Sequence, residues 1–402
     1  MRRLLPLVAL LAAAAPLHPA SLGAQAQIRT ERARDMGIPL DGAPGPLDAI
    51  TDVPGVEVGH RTVIRGDNVR TGVTAVFPRG ARNLAAVFGG WFSLNGNGEM
   101  TGTAWLDDYG LLLYPITITN TNSVGVVRDA VIEWGHSRLT EVFNCCLPVV
   151  AETWDGDLND IYGFHVTKQH VSEAFAAARG GPVAEGNVGG GTGMQCLGFK
   201  GGIGTASRRL TPQRGGYTVG VLVQCNFGER RLLRIAGVPV GQEITDVKPC
   251  YDAPDFDSTR AAERCPAGFD RGKDQGSIIV VVGTDAPLLP HQLRRVARRA
   301  ALGIGRMGGI AGAGSGDLFV AFSTAPTPAD SQRVAKLRML NDNAIDPIYE
   351  ATVQATEEAI INAMLAARTM KGADGLVVPA LPHDRVRQAL RKYGRLSGSP
   401  GR

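Results

Sequence analysis

Residues 273–287 read KDQGSIIVVVGTDAP. The unbroken β-branched run from Ile278 to Val282 is typical of a strand that is buried on both faces. The run begins abruptly after a polar, glycine-containing stretch, and Gly276 and Ser277 stand directly before it. This pattern predicts a core strand, and it makes Ser277 either the ordinary start of that strand or a functional group presented by it.

Shorter apolar runs and helical periodicities surround this strand. Further strands are predicted at residues 85–91, 111–121, 147–154, 217–225 and 317–323. Helices are predicted at residues 123–137, 170–180, 290–305 and 346–369. Strands and helices alternate irregularly, which favours helices that cover sheets in layers over an all-β barrel.

The first 26 residues have the features of a secretory signal peptide. Arg2 and Arg3 are followed by the apolar stretch 4–16 and by an A-x-A cleavage pattern at 24–26. We expect cleavage after Ala26, a periplasmic or secreted mature protein, and no membrane association once the signal is removed. The alternative is an amino-terminal membrane anchor.

Composition and motif spacing exclude several classes of protein. The formal net charge of +4 over 402 residues is no electrostatic footprint for nucleic acid. The C-x-x-C and H-E-x-x-H spacings of metal sites do not occur, so neither a metal nor another cofactor is expected.

The cysteines suggest two kinds of environment. Cys250 and Cys265 bracket a polar segment, and in an oxidising compartment they are a plausible loop-closing disulfide, with two free thiols as the alternative. Cys196 and Cys225 stand in apolar or glycine-rich stretches, which predicts small buried apolar side chains.

A polar segment at about residues 241–276 leads directly into Ser277. A long stretch of this kind inside a compact domain tends to be functional or disordered. A serine hydrolase without a histidine base can use the α-amino group of its own nucleophile, whose reference pKa is about 7.7–8.0. Such a serine must first become a chain terminus, so this arrangement indicates self-cleavage before Ser277, with Gly276 as a permissive neighbour. An ordinary loop-to-strand junction is the alternative.

Several stretches between residues 45 and 370 form a specific combination. They are NGNGEMTGT, PITITNTNSVG, VVAETWDGDLNDI, GNVGGGTGM, GVLVQCNFG, GSIIVVVGTDAPLLPHQLRRVARRA, AGSGDLFVAFSTA and VQATEEAIINA. In this combination the chain resembles the P1 peptidases, the DmpA-like L-aminopeptidase/D-Ala-esterase and β-aminopeptidase family. The resemblance implies a single αββα sandwich domain over residues 27–402, similar to N-terminal nucleophile hydrolases but with different connectivity. It also implies self-cleavage into an α chain, 27–276, and a β chain, 277–402, and a homo-oligomer of these αβ units.

The resemblance also implies catalytic roles. Ser277 matches the nucleophile, Ser315 and Asp317 match a serine and a carboxylate behind it, and Asn226 matches an asparagine that stabilises the oxyanion. From the residues alone, turn or cap roles are the better interpretation of Ser315, Asp317 and Asn226. Ser315 and Asp317 are two apart on one predicted strand, so their side chains are expected to share a face.

The resemblance assigns further residues to substrate binding. Glu152 matches a carboxylate that receives the free amine of the substrate, although from the residues alone it is an exposed charge at a strand end. Trp154 departs from the tyrosine of the family, and its indole N–H can donate a hydrogen bond but cannot accept one. Asn120 and Asn122 are candidate pocket-lining residues, with strand-end turn chemistry as the alternative.

The resulting interpretation is an exported aminopeptidase with an N-terminal serine nucleophile. It would release the amino-terminal residue from small peptides, or from amino-acid amides and esters, through an acyl-enzyme. One alternative is an acyltransferase of the ornithine acetyltransferase type, although such enzymes use a threonine nucleophile. The other alternative is a binding homologue that has lost activity.

Overall fold

The computed structural model describes residues 31–83, 85–138, 147–252, 276–327 and 333–396. In these ranges the strands are β1 (Glu57–Arg65), β2 (Val69–Phe77), β3 (Val87–Gly96), β4 (Leu111–Leu112), β5 (Ile116–Asn120), β6 (Val150–Thr153), β7 (Gln195–Cys196), β8 (Phe199–Lys200), β9 (Gly202–Arg209), β10 (Thr218–Asn226), β11 (Cys250–Tyr251), β12 (Ser277–Thr284), β13 (Gly316–Ser323), β14 (Met370–Lys371) and β15 (Leu376–Val378). The α-helices are α1 (Thr103–Tyr109), α2 (Val124–His136), α3 (Lys168–Ala176), α4 (Val240–Glu243), α5 (Pro290–Arg306), α6 (Asp346–Ala366) and α7 (His383–Lys392). None of the helices in these ranges has both the length and the apolar composition of a membrane span.

Two large sheets organise these elements. The six-stranded sheet has the order β4-β3-β13-β12-β10-β9, and in it β12 runs parallel to β13 and antiparallel to β10. The four-stranded sheet has the order β1-β2-β5-β6, with β5 and β6 parallel. The shorter strands form the small sheets β11-β15-β14 and β7-β8.

Side chains of β12 alternate between two hydrophobic cores, because successive residues of a strand point to opposite faces. Ile278 and Val280 pack in one cluster with apolar residues of α5 and α6. Ile279 and Val281 pack in a second cluster with apolar residues of the four-stranded sheet. Strand β12 is therefore buried on both faces, as its unbroken apolar run predicts.

Helices α2 and α3 cover the other face of the four-stranded sheet. Val127 and Val131 of α2 and Phe175 of α3 share a cluster with Val73 and Phe77 of β2. The layers are therefore helices, six-stranded sheet, four-stranded sheet and helices, which confirms the predicted αββα sandwich.

The sequence patterns predict the long helices and most strands of the six-stranded sheet, but they miss β1 and β2. Strand β2 is buried over its whole length although it contains Arg70, Thr71 and Thr74, so no apolar run marks it. The strand predicted at 111–121 is two strands, β4 and β5, which lie on either side of Pro115. Proline has no N–H to donate to a neighbouring strand, so an interruption there is expected.

The polar segment predicted at 241–276 is not structureless at its start. Helix α4 extends into it as far as Glu243, and β11 pairs with β15 through Cys250 and Tyr251. The rest of the predicted linker, residues 253–275, lies outside the described residues.

The prediction that Cys196 and Cys225 are small buried side chains is confirmed, but it did not foresee that they are linked. Both side chains are fully buried, as expected, but they form a disulfide between β7 and β10, with their Cα atoms 5.6 Å apart. Apolar neighbours in the sequence predict that a cysteine is buried. They do not indicate which residue of another strand lies next to it. Cys265 lies outside the described residues, so the Cys250–Cys265 disulfide stays a prediction.

A buried ion-pair network binds the amino-terminal segment to the sandwich. Glu358 of α6 is fully buried and pairs with Arg208 of β9 at 2.7 Å and with Arg34 at 2.8 Å. Arg32 pairs with Asp48 at 3.2 Å. Buried charges are tolerated only when they are paired, so the segment around Arg34 is tied to both α6 and β9.

Glu358→Ala should destabilise the protein strongly, because it leaves the buried Arg208 guanidinium without its nearest carboxylate. Removal of one partner from a buried pair costs about 3–5 kcal/mol. The measurement is the free energy of unfolding in urea. The control is Glu350→Ala on the same helix, which removes a half-exposed ion pair with Arg214 and should cost less than about 1 kcal/mol. Equal effects of the two substitutions would contradict the role given to Glu358.

Candidate active site

Ser277 begins β12 between the ends of two neighbouring strands. In the strand register it lies opposite Asn226 of β10 and Gly316 of β13, and it is buried. The Gly316 N–H donates a hydrogen bond to the Gly276 carbonyl oxygen at 3.1 Å. The carbonyl of the peptide bond before Ser277 is therefore held by a main-chain donor.

Gly276 is packed against the main chain of β10. A Cβ atom at this position would lie 2.0 Å from the carbonyl oxygen of Asn226, a distance that no side chain can adopt without displacing the strand. The sequence suggests that glycine is needed here for a permissive backbone. The structure gives a different reason, which is that the close approach of β10 leaves no space for a side chain.

Ser315 and Asp317 lie together at the start of β13, the strand next to β12. The Ser315 hydroxyl donates a hydrogen bond to Asp317 Oδ1 at 2.7 Å, and both residues are buried. Strand β13 begins at Gly316, so Ser315 lies just before it, and the pairing of β13 with β3 shifts register between Asp317 and Leu318. Irregularities of this kind redirect side chains relative to the regular alternation of a strand. The Ser315–Asp317 contact is thus a local arrangement at the start of β13.

The side-chain amide of Asn226 has both of its ends bound. Its Oδ1 accepts a hydrogen bond from the Gln195 N–H at 2.8 Å, and its Nδ2 donates to the Trp154 carbonyl oxygen at 2.8 Å. Because a primary amide carries two N–H groups, one donor remains for another acceptor. Asn226 and Ser277 are opposite each other in the strand register, so this amide lies on the strand next to Ser277.

Glu152 is buried at the end of β6, which excludes the exposed strand-end charge as its role. Its Oε1 accepts from the Glu99 N–H at 2.9 Å, and its Oε2 accepts from the Thr121 hydroxyl. Burial raises the pKa of the Glu152 carboxyl, while these two hydrogen bonds act in the opposite direction. A Cβ at Gly98 would lie 3.2 Å from both Glu152 Oε1 and the Cα of Gly316. Glu152 is therefore close to the start of β13, the strand that pairs with β12.

Trp154 follows β6 and contributes its main chain to the site. Its carbonyl binds the Asn226 amide, and its ring contacts the exposed Tyr162 edge to face, with 6.4 Å between ring centroids. The contact with Asn226 does not depend on the side chain, so it is unaffected by the exchange of tyrosine for tryptophan that the resemblance indicates.

Asn120 and Asn122 have different environments. Asn120 is buried, and its Nδ2 donates to Thr71 Oγ1 at 3.1 Å and to the two Asp155 carboxylate oxygens at 3.2 and 3.1 Å. Burial raises the pKa of Asp155 to about 7, although hydrogen bonds from Thr71, Asn159 and Asn120 favour its charged form. Asn122 is partly exposed and donates to a main-chain carbonyl at 3.4 Å. Asn120 is thus part of a buried polar network with Asp155, and the pocket-lining role of both asparagines stays a prediction.

Two contributors to the site are missed by the sequence patterns. Gln195 binds Asn226 through its main-chain N–H, and Gly98 separates Glu152 from Gly316. Every residue except proline has a main-chain N–H, so the residue type at position 195 does not indicate this hydrogen bond. Only the tertiary structure reveals it. Within the described ranges, no group of three or more His, Cys, Asp or Glu side chains could hold a metal ion.

The sequence and the fold were compared with those of known proteins. The profile of peptidase family S58 matches residues 48–378. The chain belongs to peptidase family S58. The S58 chain is 50% identical over 391 residues to the beta-peptidyl aminopeptidase BapA of Sphingosinicella microcystinivorans, and the match covers 94% of this chain and 96% of that protein.

Two solved structures are similar to the S58 chain. A beta-aminopeptidase from a Burkholderia species superposes with a TM-score of 0.81 and 45% identity, over 90% of this chain and 99% of that one. The L-aminopeptidase D-Ala-esterase/amidase of Ochrobactrum anthropi superposes with a TM-score of 0.80 and 45% identity, over 91% and 100%. That structure is described as a prototype of the serine aminopeptidases and a variant of the Ntn hydrolase fold. The S58 chain is therefore a serine aminopeptidase with this fold, and these relatives give no support to the acyltransferase alternative.

Asp317→Asn should lower kcat while it preserves the shape of the site. The substitution removes the negative charge that accepts the Ser315 hydroxyl, and loss of acid–base support is typically worth about 10²–10⁴-fold. The measurement is kcat on an aminoacyl p-nitroanilide, with KM expected to change little. Asp384→Asn, at a fully exposed carboxylate, is the matched control. A kcat within a few-fold of wild type would contradict a catalytic role for Asp317 and favour the turn-cap interpretation.

Proposed function

We propose that the S58 chain matures by cleaving its own Gly276–Ser277 bond, and that the new amino group of Ser277 then activates the Ser277 hydroxyl. The mature enzyme would consist of an α chain, 27–276, and a β chain, 277–402. The observation that carries the proposal is the position of Ser277 at the buried start of β12, where the Gly316 N–H binds the Gly276 carbonyl.

Self-cleavage begins with attack of the Ser277 hydroxyl oxygen on the Gly276 carbonyl carbon. The carbon–nitrogen bond breaks, the acyl group moves to the hydroxyl oxygen as an ester, and the Ser277 nitrogen takes up the hydroxyl proton to become an amine. Water then hydrolyses the ester and leaves a carboxylate on Gly276 and a hydroxyl on Ser277. A donor already bound to the scissile carbonyl, as the Gly316 N–H is, stabilises the negative charge that develops on its oxygen.

Turnover uses the same atoms with the substrate in place of Gly276. The α-amine of Ser277 takes the hydroxyl proton during attack and delivers it to the leaving amine, and water later releases the acyl group. The second N–H of Asn226 supports the oxyanion. The buried Ser315–Asp317 pair favours the ammonium form of the α-amino group between these steps.

Glu152 supplies the preference for a free amino terminus. A buried carboxylate with a raised pKa is poorly solvated, so a substrate ammonium gives it the opposite charge that it lacks. An acetylated substrate carries no such charge and leaves the carboxylate unpaired. The relative with 50% identity is a beta-peptidyl aminopeptidase, which supports β-amino residues among the amino-terminal residues that this site accepts.

Export and assembly complete the proposal. The signal-peptide pattern of residues 1–26 predicts a periplasmic or secreted enzyme, and the Cys196–Cys225 disulfide is the kind of cross-link that persists in an oxidising compartment. Assembly into a homo-oligomer of αβ units rests on the family resemblance.

Ser277→Ala should remain one chain, whereas the wild-type protein should yield a fragment that begins at Ser277. The measurement is the intact mass of each purified protein. Gly276→Ala should also block or greatly slow cleavage, because its Cβ would collide with the Asn226 carbonyl.

Gly305→Ala is the matched control for the glycine substitution. A Cβ at this position in α5 would meet no atom within 4 Å, so cleavage should proceed normally. An uncut wild-type chain with full aminopeptidase activity would rule out the N-terminal nucleophile mechanism.

Glu152→Gln should reduce the discrimination between free and blocked amines. A charge-assisted hydrogen bond is worth about 1.5–3 kcal/mol, which corresponds to roughly tenfold to 10²-fold in kcat/KM. The measurement compares β-alanyl and L-alanyl p-nitroanilides with their N-acetyl forms in wild type and variant. Self-cleavage should be unchanged, because no substrate amine takes part in it. Equal wild-type rates on free and acetylated substrates would remove Glu152 from amine recognition.

A further inference from the structure

A short hairpin lies against the amide of Asn226. Strands β7 and β8 pair Gln195 with Lys200 and Cys196 with Phe199, and residues 195–200 are called the 195–200 hairpin below. Its main chain donates two hydrogen bonds at the end of β10. The Gln195 N–H donates to Asn226 Oδ1 at 2.8 Å, and the Leu197 N–H donates to the carbonyl of the residue after Asn226 at 2.7 Å.

The contact with Gln195 is one of two contacts that set the orientation of the Asn226 amide, and the other is with the Trp154 carbonyl, which accepts only from Nδ2. A half-turn of a primary amide exchanges its oxygen with its nitrogen, and the two orientations have nearly the same shape. An N–H donor binds only the oxygen, so the Gln195 N–H directs Nδ2 of Asn226 to the other side, toward the Trp154 carbonyl. The reversed orientation would present an oxygen to the oxyanion instead of a donor.

The Cys196–Cys225 disulfide is the first anchor of the hairpin. Cys196 directly follows Gln195, and Cys225 directly precedes Asn226. The disulfide therefore links the residues next to the donor and next to the acceptor of the orienting hydrogen bond. Such a cross-link limits movement of the two partners relative to each other.

The ammonium of Lys200 is the second anchor. Lys200 is fully buried, and its Nζ donates to the carbonyl oxygens of Met194 at 2.7 Å, Gly201 at 3.0 Å and Gly191 at 3.4 Å. These bonds join the chain entering the hairpin to the chain leaving it. Because three main-chain carbonyls take the three N–H groups of its ammonium, Lys200 has no donor left for a substrate.

We propose that Lys200 and the Cys196–Cys225 disulfide are positioning groups for the oxyanion amide, acting through the 195–200 hairpin on the orientation of Asn226. The inference rests on the proposed oxyanion role of Asn226. Neither group touches the reacting atoms, so their removal should disturb the chemical step more than substrate binding.

The first experiment separates kcat from KM. Lys200→Met and the double variant Cys196→Ala/Cys225→Ala should each lower kcat at least about tenfold, with KM within about threefold of wild type. Lys392→Met, which removes an exposed lysine paired with Glu243, is the matched control and should leave both constants unchanged. The melting temperature and intact mass of each variant establish that it is folded and cleaved.

The second experiment is a double-mutant cycle with Asn226→Ala. That substitution alone should lower kcat by about 10²–10³-fold, the typical loss for one oxyanion donor. Added to it, Lys200→Met should cause less than about threefold further loss, because there is no amide left to position. If Asn226→Ala prevents self-cleavage, Asn226→Gln replaces it in the cycle.

The outcomes distinguish the two levels of the proposal. A full additional loss from Lys200→Met in the Asn226→Ala background would overturn the positioning role and leave the oxyanion role intact. No effect of Asn226→Ala on kcat would overturn the oxyanion role itself.

A test without substitution covers variants that fail to fold. Mature wild-type enzyme is treated with a phosphine reductant under native conditions, and peptide mapping follows reduction of the Cys196–Cys225 pair. The kcat should fall in step with that reduction while KM is maintained. Full activity of enzyme reduced at this pair would overturn the role of the disulfide.

Discussion

The burial of β12 between β10 and β13 is the constraint on which the site depends. Every main-chain N–H and C=O group of an interior strand must find a partner, so the register with both neighbours is strongly determined. That register places Asn226 and Gly316 opposite Ser277, one on each side. It also requires glycine at position 276, because β10 occupies the space of a side chain. Strand pairing that stabilises the core thus also places the proposed nucleophile, Ser277, between Asn226 and Gly316.

Desolvation determines how the charged groups around this strand behave. Burial raises the pKa of Glu152 and Asp155 and lowers the pKa of Lys200 to about 7, since a charged form loses its solvation in the interior. Asp155 and Lys200 are compensated by hydrogen bonds from amides and to main-chain carbonyls. Glu152 accepts hydrogen bonds from an N–H and a hydroxyl, and no ion pair to a basic side chain is found for it within the described residues. This difference is the physical basis for assigning amine recognition to Glu152 and structural roles to the other two.

The site also depends on elements that lie outside the two large sheets. The 195–200 hairpin belongs to a sheet of only two short strands, which is too small to be stable by itself. Its disulfide to β10 and the hydrogen bonds of Lys200 compensate for that small size. In this chain a central strand buried on both faces is thus combined with a separately anchored hairpin that contacts the Asn226 amide.

The sequence by itself determined β12, the long helices and the layered architecture. Burial on both faces leaves an unbroken β-branched run, and burial on one side of a helix leaves a period of 3.6 residues. The abrupt change from polar to apolar residues before Ile278 was enough to single out Ser277, and family resemblance added Asn226, Glu152 and Asp317. The sequence pattern could not reveal β2, because this buried strand contains arginine and threonine. Only the tertiary structure decided that Cys196 bonds to Cys225, that Asn120 is enclosed beside Asp155, and that the Gln195 N–H binds the Asn226 side chain. The physical reason is that these contacts join residues far apart in the chain, often through main-chain atoms, which every residue type but proline supplies alike.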